Sequence, residues 1–289
     1  MTFRLSVLLS ALAALSLSAC SAQKTAPDTL AAEISANYPV VIQNIAEGVW
    51  VHTSAYTLPG GNSMPSNGLI VADGEELTLV DTAWGEMATQ SLLQKIETEI
   101  GKPVKNLVLT AHTYDRLAGV DIIERAGAKV FTHPDTAGLA AKRGTPVPNT
   151  SVSALSEPRS RSKVGAVEIA FPGAGHTADN LVVYVPSHNV LFAGGLVVGA
   201  EMKGLGNTVN ADIKAWPSAL AWTKSVYKDA KIIVPANGKG GDLSLIDKTL
   251  QTLATEVNRL NEEQKRISAE TLDDIDQKRI SKEKNNDIK

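Results

Sequence analysis

Between Val40 and Val80 apolar and polar positions alternate, with Val49-Trp50-Val51-His52 and Gly68-Leu69-Ile70-Val71 leading through Asp73-Gly74 into Leu77-Thr78-Leu79-Val80. A period of two predicts half-buried strands, and an Asp-Gly pair between two such runs predicts a hairpin turn. The segment Leu58 to Pro65, which carries Pro and Gly, reads as a loop between strands. Leu92, Leu93, Ile96 and Ile100 then recur at helical spacing and stop at Gly101-Lys102-Pro103, an ordinary helix ending. A buried strand is expected at Leu107-Val108-Leu109, a helical segment at Val120 to Arg125, a strand at Lys129 to Thr132 and a short helix near Pro134 to Lys142.

The second half repeats this scheme. Strands are expected at Val164 to Phe171 and Asn180 to Tyr184, with a return at Val190 to Ala193, a helix from Asp212 to Val226 and a strand at Ile232-Ile233-Val234. Strand-rich runs alternating with helices in two similar halves predict an α/β fold of two mixed sheets packed face to face with helices outside. No linker divides the halves, so residues 37–262 are read as one domain. Its last helix keeps Leu243, Ile246, Leu250, Leu253, Val257 and Leu260 on one face. Beyond it, residues 263–289 are densely charged and lack aromatics, which fits either an extension of that helix or a disordered tail.

The N-terminus reads differently. Arg4 precedes an apolar stretch from Leu5 to Leu17 that is too short for a membrane span, so residues 1–19 are expected to be a secretory signal. Leu17-Ser18-Ala19-Cys20 resembles a bacterial lipobox, which implies cleavage before Cys20 and a lipid on its thiol. Residues 20–36 then form a lipidated tether. Ser21, where an aspartate would favour the inner membrane, points to an outer-membrane lipoprotein facing the periplasm.

Composition narrows the function. The chain has 289 residues, with 28 Lys and Arg against 31 Asp and Glu, and no long basic run, so nucleic acid is not an expected partner. Cys20 is the single cysteine, which excludes an intrachain disulfide and a cysteine-rich metal cluster.

Five segments then occur in an order that resembles the metallo-β-lactamases, most closely the dizinc branch with the Verona-type and New Delhi-type carbapenemases. They are Pro65 to Val71, Val80 to Gly85, Asp115-Arg116 with Ala118-Gly119-Val120, Pro172 to Tyr184, and Gly204 to Asn207. The resemblance spans about Val41 to Leu260 and implies a four-layer αβ/βα sandwich. It further implies one zinc held by three histidines, a second held by Asp, Cys and His, and a bridging hydroxide that attacks the lactam carbonyl, since zinc polarises carbonyls and brings bound water near neutrality.

Carried over residue by residue, the ligand set is mostly missing. In the His-x-His-x-Asp stretch the histidine positions hold Ala111 and Thr113, and only Asp115 matches. Alternation places Ala111, Thr113 and Asp115 on one side, with His112 and Tyr114 on the other, so His112 is either a shifted ligand or a structural histidine. His176 in Pro172-Gly173-Ala174-Gly175-His176-Thr177 matches the third histidine of the first site. After Gly194-Gly195 the cysteine position is read at Leu196, with the run to Asn207 one residue short, and the last histidine position holds Asn237.

Other features match. Asn207 corresponds to the amide that polarises the lactam carbonyl, or else caps its own turn. Trp84 corresponds to the apolar wall, or is core packing, and Met64 belongs to the flap over the groove. The expectation is a monomer of class B metallo-β-lactamase type, inactive or weakly active, with no zinc or weakly bound zinc. A membrane held through Cys20 and a β-lactam or cell-wall fragment are its expected partners. The alternative is an active enzyme with a site rearranged around His112, Asp115 and His176.

Overall fold

The computed structural model describes residues 37–286. The signal, Cys20 and the tether lie outside the described residues.

Strand β1 (Val40–Ala46), β2 (Val49–Thr57), β3 (Ser63–Asp73) and β4 (Glu76–Val80) form antiparallel neighbours. Helix α1 (Gly85–Glu99) crosses to β5 (Val104–Val108), which pairs parallel with β4. After α2 (Tyr114–Leu117) and α3 (Val120–Arg125), β6 (Lys129–Phe131) closes a six-stranded sheet in chain order. Helix α4 (Thr136–Arg143) leads to the second sheet, built from β7 (Ser160–Val164), β8 (Val167–Phe171), β9 (Val182–Val185), β10 (Val190–Gly194) and β11 (Ile232–Pro235) in spatial order 11-10-9-8-7. Helix α5 (Trp216–Val226) precedes β11, and α6 (Ser244–Asn286) follows it.

Three buried clusters define the layers. Ile70, Leu79 and Leu107 on the outer face of the first sheet pack against Leu92 and Ile96 of α1 and Ile123 of α3. Leu191 and Ile233 of the second sheet pack against Trp216 and Leu220 of α5 and Ile246 and Leu253 of α6. Leu69, Val71, Val80 and Val108 meet Ile169, Phe171, Val183 and Phe192 between the sheets. Because each sheet buries both faces, its strands carry apolar residues at successive positions, as in Leu69-Ile70-Val71, and the layers run helix, sheet, sheet, helix.

Several expectations change. Leu58 to Asn62 is the expected loop between β2 and β3, but β3 already starts at Ser63, so Met64 and Pro65 pair with Tyr56 and Ala55. Pro65 fits there because β4 pairs with β3 only from Leu69 on, leaving β2 as the only strand beside it. The run Val164 to Phe171 is a hairpin of two strands turning at Gly165, which has a positive φ. Helix α5 begins at Trp216, after the side chain of Asp212 has accepted hydrogen bonds from the Lys214 and Ala215 backbone. Past residue 262 the backbone of α6 continues helically to Asn286, which is the helix extension offered for residues 263–289.

Candidate functional site

The ends of the two sheets meet at a groove of about 480 Å³, and the strand connections place its side chains. Its floor is tied across the sheets by Asn67. The Asn67 backbone N–H donates to Ala236 O at 2.7 Å, and its side-chain amide donates to Pro235 O at 3.0 Å and Gly238 O at 2.8 Å. Gly68 is required beside it, since a Cβ there would run into the His52 ring and the Val80 carbonyl.

Arg116 is buried beneath this floor. Its guanidinium donates to Ser66 Oγ at 2.7 Å, lies 3.1 Å from Asp115 Oδ2 and has Asp81 Oδ2 at 3.7 Å. Asp81 ends β4 in the left-handed region at φ 59°, a conformation that costs a non-glycine residue energy. Its carboxylate offsets that cost by accepting the Thr110 backbone N–H and hydroxyl, both at 2.7 Å. Burial pushes the Asp81 pKa up to about 7, against the opposing pull of Arg116.

One wall is aromatic. Trp84 lies between Tyr56, with ring centroids 5.5 Å apart, and Tyr114, at 6.3 Å, and the Trp84 backbone N–H donates to Ser54 Oγ. Met64 and Pro65 continue this wall along the hairpin. The opposite wall is aliphatic, formed by Val197, Val198, Met202 and Leu205. Alternation predicted that Tyr114 would point away from the groove. Instead the chain turns helical at Tyr114, directly after the extended Thr113, so the period of two ends and both Thr113 and Tyr114 line the groove. Ala111 is buried and is not part of the lining.

His112 takes the other direction. Its Nδ1 lies 2.8 Å from Asp179 Oδ1, both side chains are buried, and Thr136 Oγ1 donates to the second Asp179 oxygen at 2.9 Å. This places His112 outside the groove lining, while Asp115 and His176 are within it.

His176 packs edge-on against Trp216 at 5.6 Å. Burial first, and the positive charge of Arg116 second, push its pKa down to about 4, so the imidazole is neutral at physiological pH. A Cβ on Gly195 would come within 2.5 Å of His176 Nδ1. The ring therefore fills the space that any side chain at position 195 would enter. The residue facing the groove after Gly194 is thus Gly195, and Leu196 is fully buried, its carbonyl accepting the Trp216 indole N–H. Moving the cysteine position from Leu196 to Gly195 also removes the one-residue shortfall before Asn207, a signal that was present in the sequence.

Two of the groove's amides also bond the chain itself. Asn207 Oδ1 accepts the Val209 N–H at 3.1 Å, the turn-capping geometry, and Asn237 Nδ2 donates to Pro65 O at 2.7 Å. Glu201 accepts the Lys239 N–H. Among the described residues no group of three or more His, Cys, Asp or Glu side chains is placed to hold a metal ion. Sequence reasoning missed Arg143, Glu201, Met202 and Asn210 as lining residues, since they come from separate loops and helix ends with no shared motif.

Residues 61–236 match the model of the metallo-beta-lactamase superfamily. The chain is 33% identical over 214 residues to a protein named metallo-beta-lactamase type 2 from Bacillus sp. (strain 170), covering 74% of this chain and 82% of that protein. Among solved structures it resembles the metallo-beta-lactamase from Pontibacter korlensis, at 40% identity and TM-score 0.69 over 74% of this chain and 99% of that one. It also resembles the metallo-beta-lactamase FIM-1 from Pseudomonas aeruginosa in its mono-zinc form, at 31% identity and TM-score 0.72 over 75% of this chain and 96% of that one.

Proposed function

The chain belongs to the metallo-β-lactamase superfamily, and from that premise we propose that it keeps the family's cleft as a binding site in which zinc-dependent β-lactam hydrolysis is absent or far below the family's rates. A catalytic zinc needs about three protein ligands. Of the family's ligand positions, those that keep a donor in this cleft are Asp115 and His176, with Thr113, Gly195 and Asn237 at positions where the resemblance calls for His, Cys and His. The observation that carries the reading is that only two of the family's ligand positions keep a donor, and one of them is already paired: the Asp115 carboxylate sits 3.1 Å from the Arg116 guanidinium, while the His176 ring packs edge-on against Trp216. The residues present do not fit a zinc pair, and no hydrolytic step is derived through one.

The test is metal content per purified chain, with turnover of a chromogenic cephalosporin in added zinc and in chelator. Substoichiometric metal and no chelator-sensitive turnover are expected. About one or two tightly held zinc ions per chain, with turnover that a chelator abolishes, would overturn the reading. A rearranged site of His112, Asp115 and His176 would require His112 to leave Asp179, and in that case His112→Ala would abolish the turnover.

The proposal extends to location. Cys20 behind an apolar stretch, with Ser21 after it, supports a lipid-anchored protein on the periplasmic side of the outer membrane, with a β-lactam or a cell-wall fragment as candidate ligands.

A further inference from the structure

We propose that the groove binds a neutral saccharide chain of N-acetylated sugars, with sugar-ring faces stacked on Trp84 and Tyr114 and the acetyl methyl groups against the aliphatic wall. This rests on the reading that the cleft binds without metal, and it names the ligand class.

The two walls differ in chemistry, and one ligand has to satisfy both. Trp84 and Tyr114 line one side, Tyr114 about half exposed, and Tyr56, exposed to a similar degree, packs on Trp84. An aromatic ring presents a flat face of negative potential, which attracts the positively polarised C–H groups that cover the face of a pyranose. Val198 and Met202 on the other side carry no side-chain nitrogen or oxygen, and suit a small apolar group such as an acetyl methyl. The same groove holds polar groups with unused bonding capacity. Asn207 spends its amide oxygen on the Val209 N–H, and Asn237 spends its amide nitrogen on the Pro65 carbonyl. Among the described residues the Asn207 Nδ2 donor, the Asn237 Oδ1 acceptor and the Thr113 hydroxyl therefore have no protein partner. A donor, an acceptor and a group that is both match hydroxyls and acetamides, which also donate and accept. An alkyl chain would strip water from these groups and leave them unpaired. Charge acts against ionic ligands. Asp115 is paired with Arg116, and the lining holds the Glu201 carboxylate as well as the Arg143 guanidinium. A ligand of either sign meets a like charge in this groove, whereas a neutral chain meets none.

Titration calorimetry of the full chain in chelator-containing buffer tests this with tri-N-acetylchitotriose, its deacetylated form, cellotriose, decanoate and benzylpenicillin. Tri-N-acetylchitotriose is expected to bind saturably and about tenfold more tightly than each of the other four. Tyr114→Ala, a change at a half-exposed side chain, is expected to weaken it about tenfold, and Tyr114→Phe to recover most of that loss because the ring face remains. Met202→Glu tests the other wall, and is expected to bring tri-N-acetylchitotriose down to the level of cellotriose, which has no acetyl groups. No saturable binding of tri-N-acetylchitotriose, equal binding of cellotriose, tighter binding of decanoate or benzylpenicillin, or binding unchanged in both Tyr114→Ala and Met202→Glu would each overturn the inference. Absence of saccharide binding in a protein that also lacks zinc removes this inference alone, whereas zinc-dependent turnover removes the metal-free reading whatever the saccharide does.

Discussion

Arg116 is the residue on which the site's electrostatics turn. It is buried between Asp81 and Asp115, and removing it strands two carboxylates in a low-dielectric floor. Arg116→Ala is therefore expected to lower stability by about 3 to 5 kcal/mol in urea unfolding, with Arg116→Lys recovering part of it because a lysine cannot reach three acceptors at once. His52 supplies the pH dependence. It is fully buried with one ring nitrogen near the Val80 carbonyl at 3.1 Å, and burial pushes its pKa down from 6.5 to about 4. The unfolded chain then binds a proton that the folded chain rejects, so stability is complete above pH 6.5 and is lost as pH falls toward 4. His176 acts in the same direction. Asp81, raised from 3.8 to about 7, acts against both, its contribution being full below 3.8 and lost as pH rises through 7. With His52, His176 and His133, whose pKa burial also lowers, against Asp81, the urea midpoint is expected to rise between pH 4.5 and 6.5, and Asp81→Asn should steepen that rise. A flat profile would contradict the assignment.

At the scale of elements, α6 separates packing from projection. Ile246 and Leu253 are buried against the second sheet, whereas Leu260 and Ile267 are exposed and the flanking positions hold pairs such as Arg259 with Glu263 and Arg266 with Glu270. Exposed pairs at this spacing contribute a few tenths of a kcal/mol each, enough to favour helix but not to dock it. Leu253→Ala is expected to cost about 2 to 5 kcal/mol, and a chain ending at residue 262 is expected to unfold within about 0.5 kcal/mol of the full one, both read by denaturant titration. The apolar spacing along α6 was legible because its face follows a 3.6 period. The start of β3 at Ser63 was not, since Pro and Gly suggest a loop in isolation and only cross-strand partners keep Met64 and Pro65 extended.

For the whole molecule, three buried apolar clusters account for the packing of the sandwich, so the thermal midpoint is expected to be the same with and without chelator; a fall on chelation would make metal part of the fold. Cys20→Ser is expected to release the protein from the membrane fraction. The sequence by itself determined the layered architecture and the membership implied by ordered motifs, because periodicity and residue identity are local properties. Tertiary structure decided which neighbours each remnant has. Tyr114 faces the groove because the chain turns helical there, and Gly195 rather than Leu196 faces it because Leu196 is buried with its carbonyl accepting the Trp216 indole N–H. His112 is committed to Asp179, 67 positions away, and Arg143 to Asn210 across the groove, and contacts at such separations exist only once both sheets have closed.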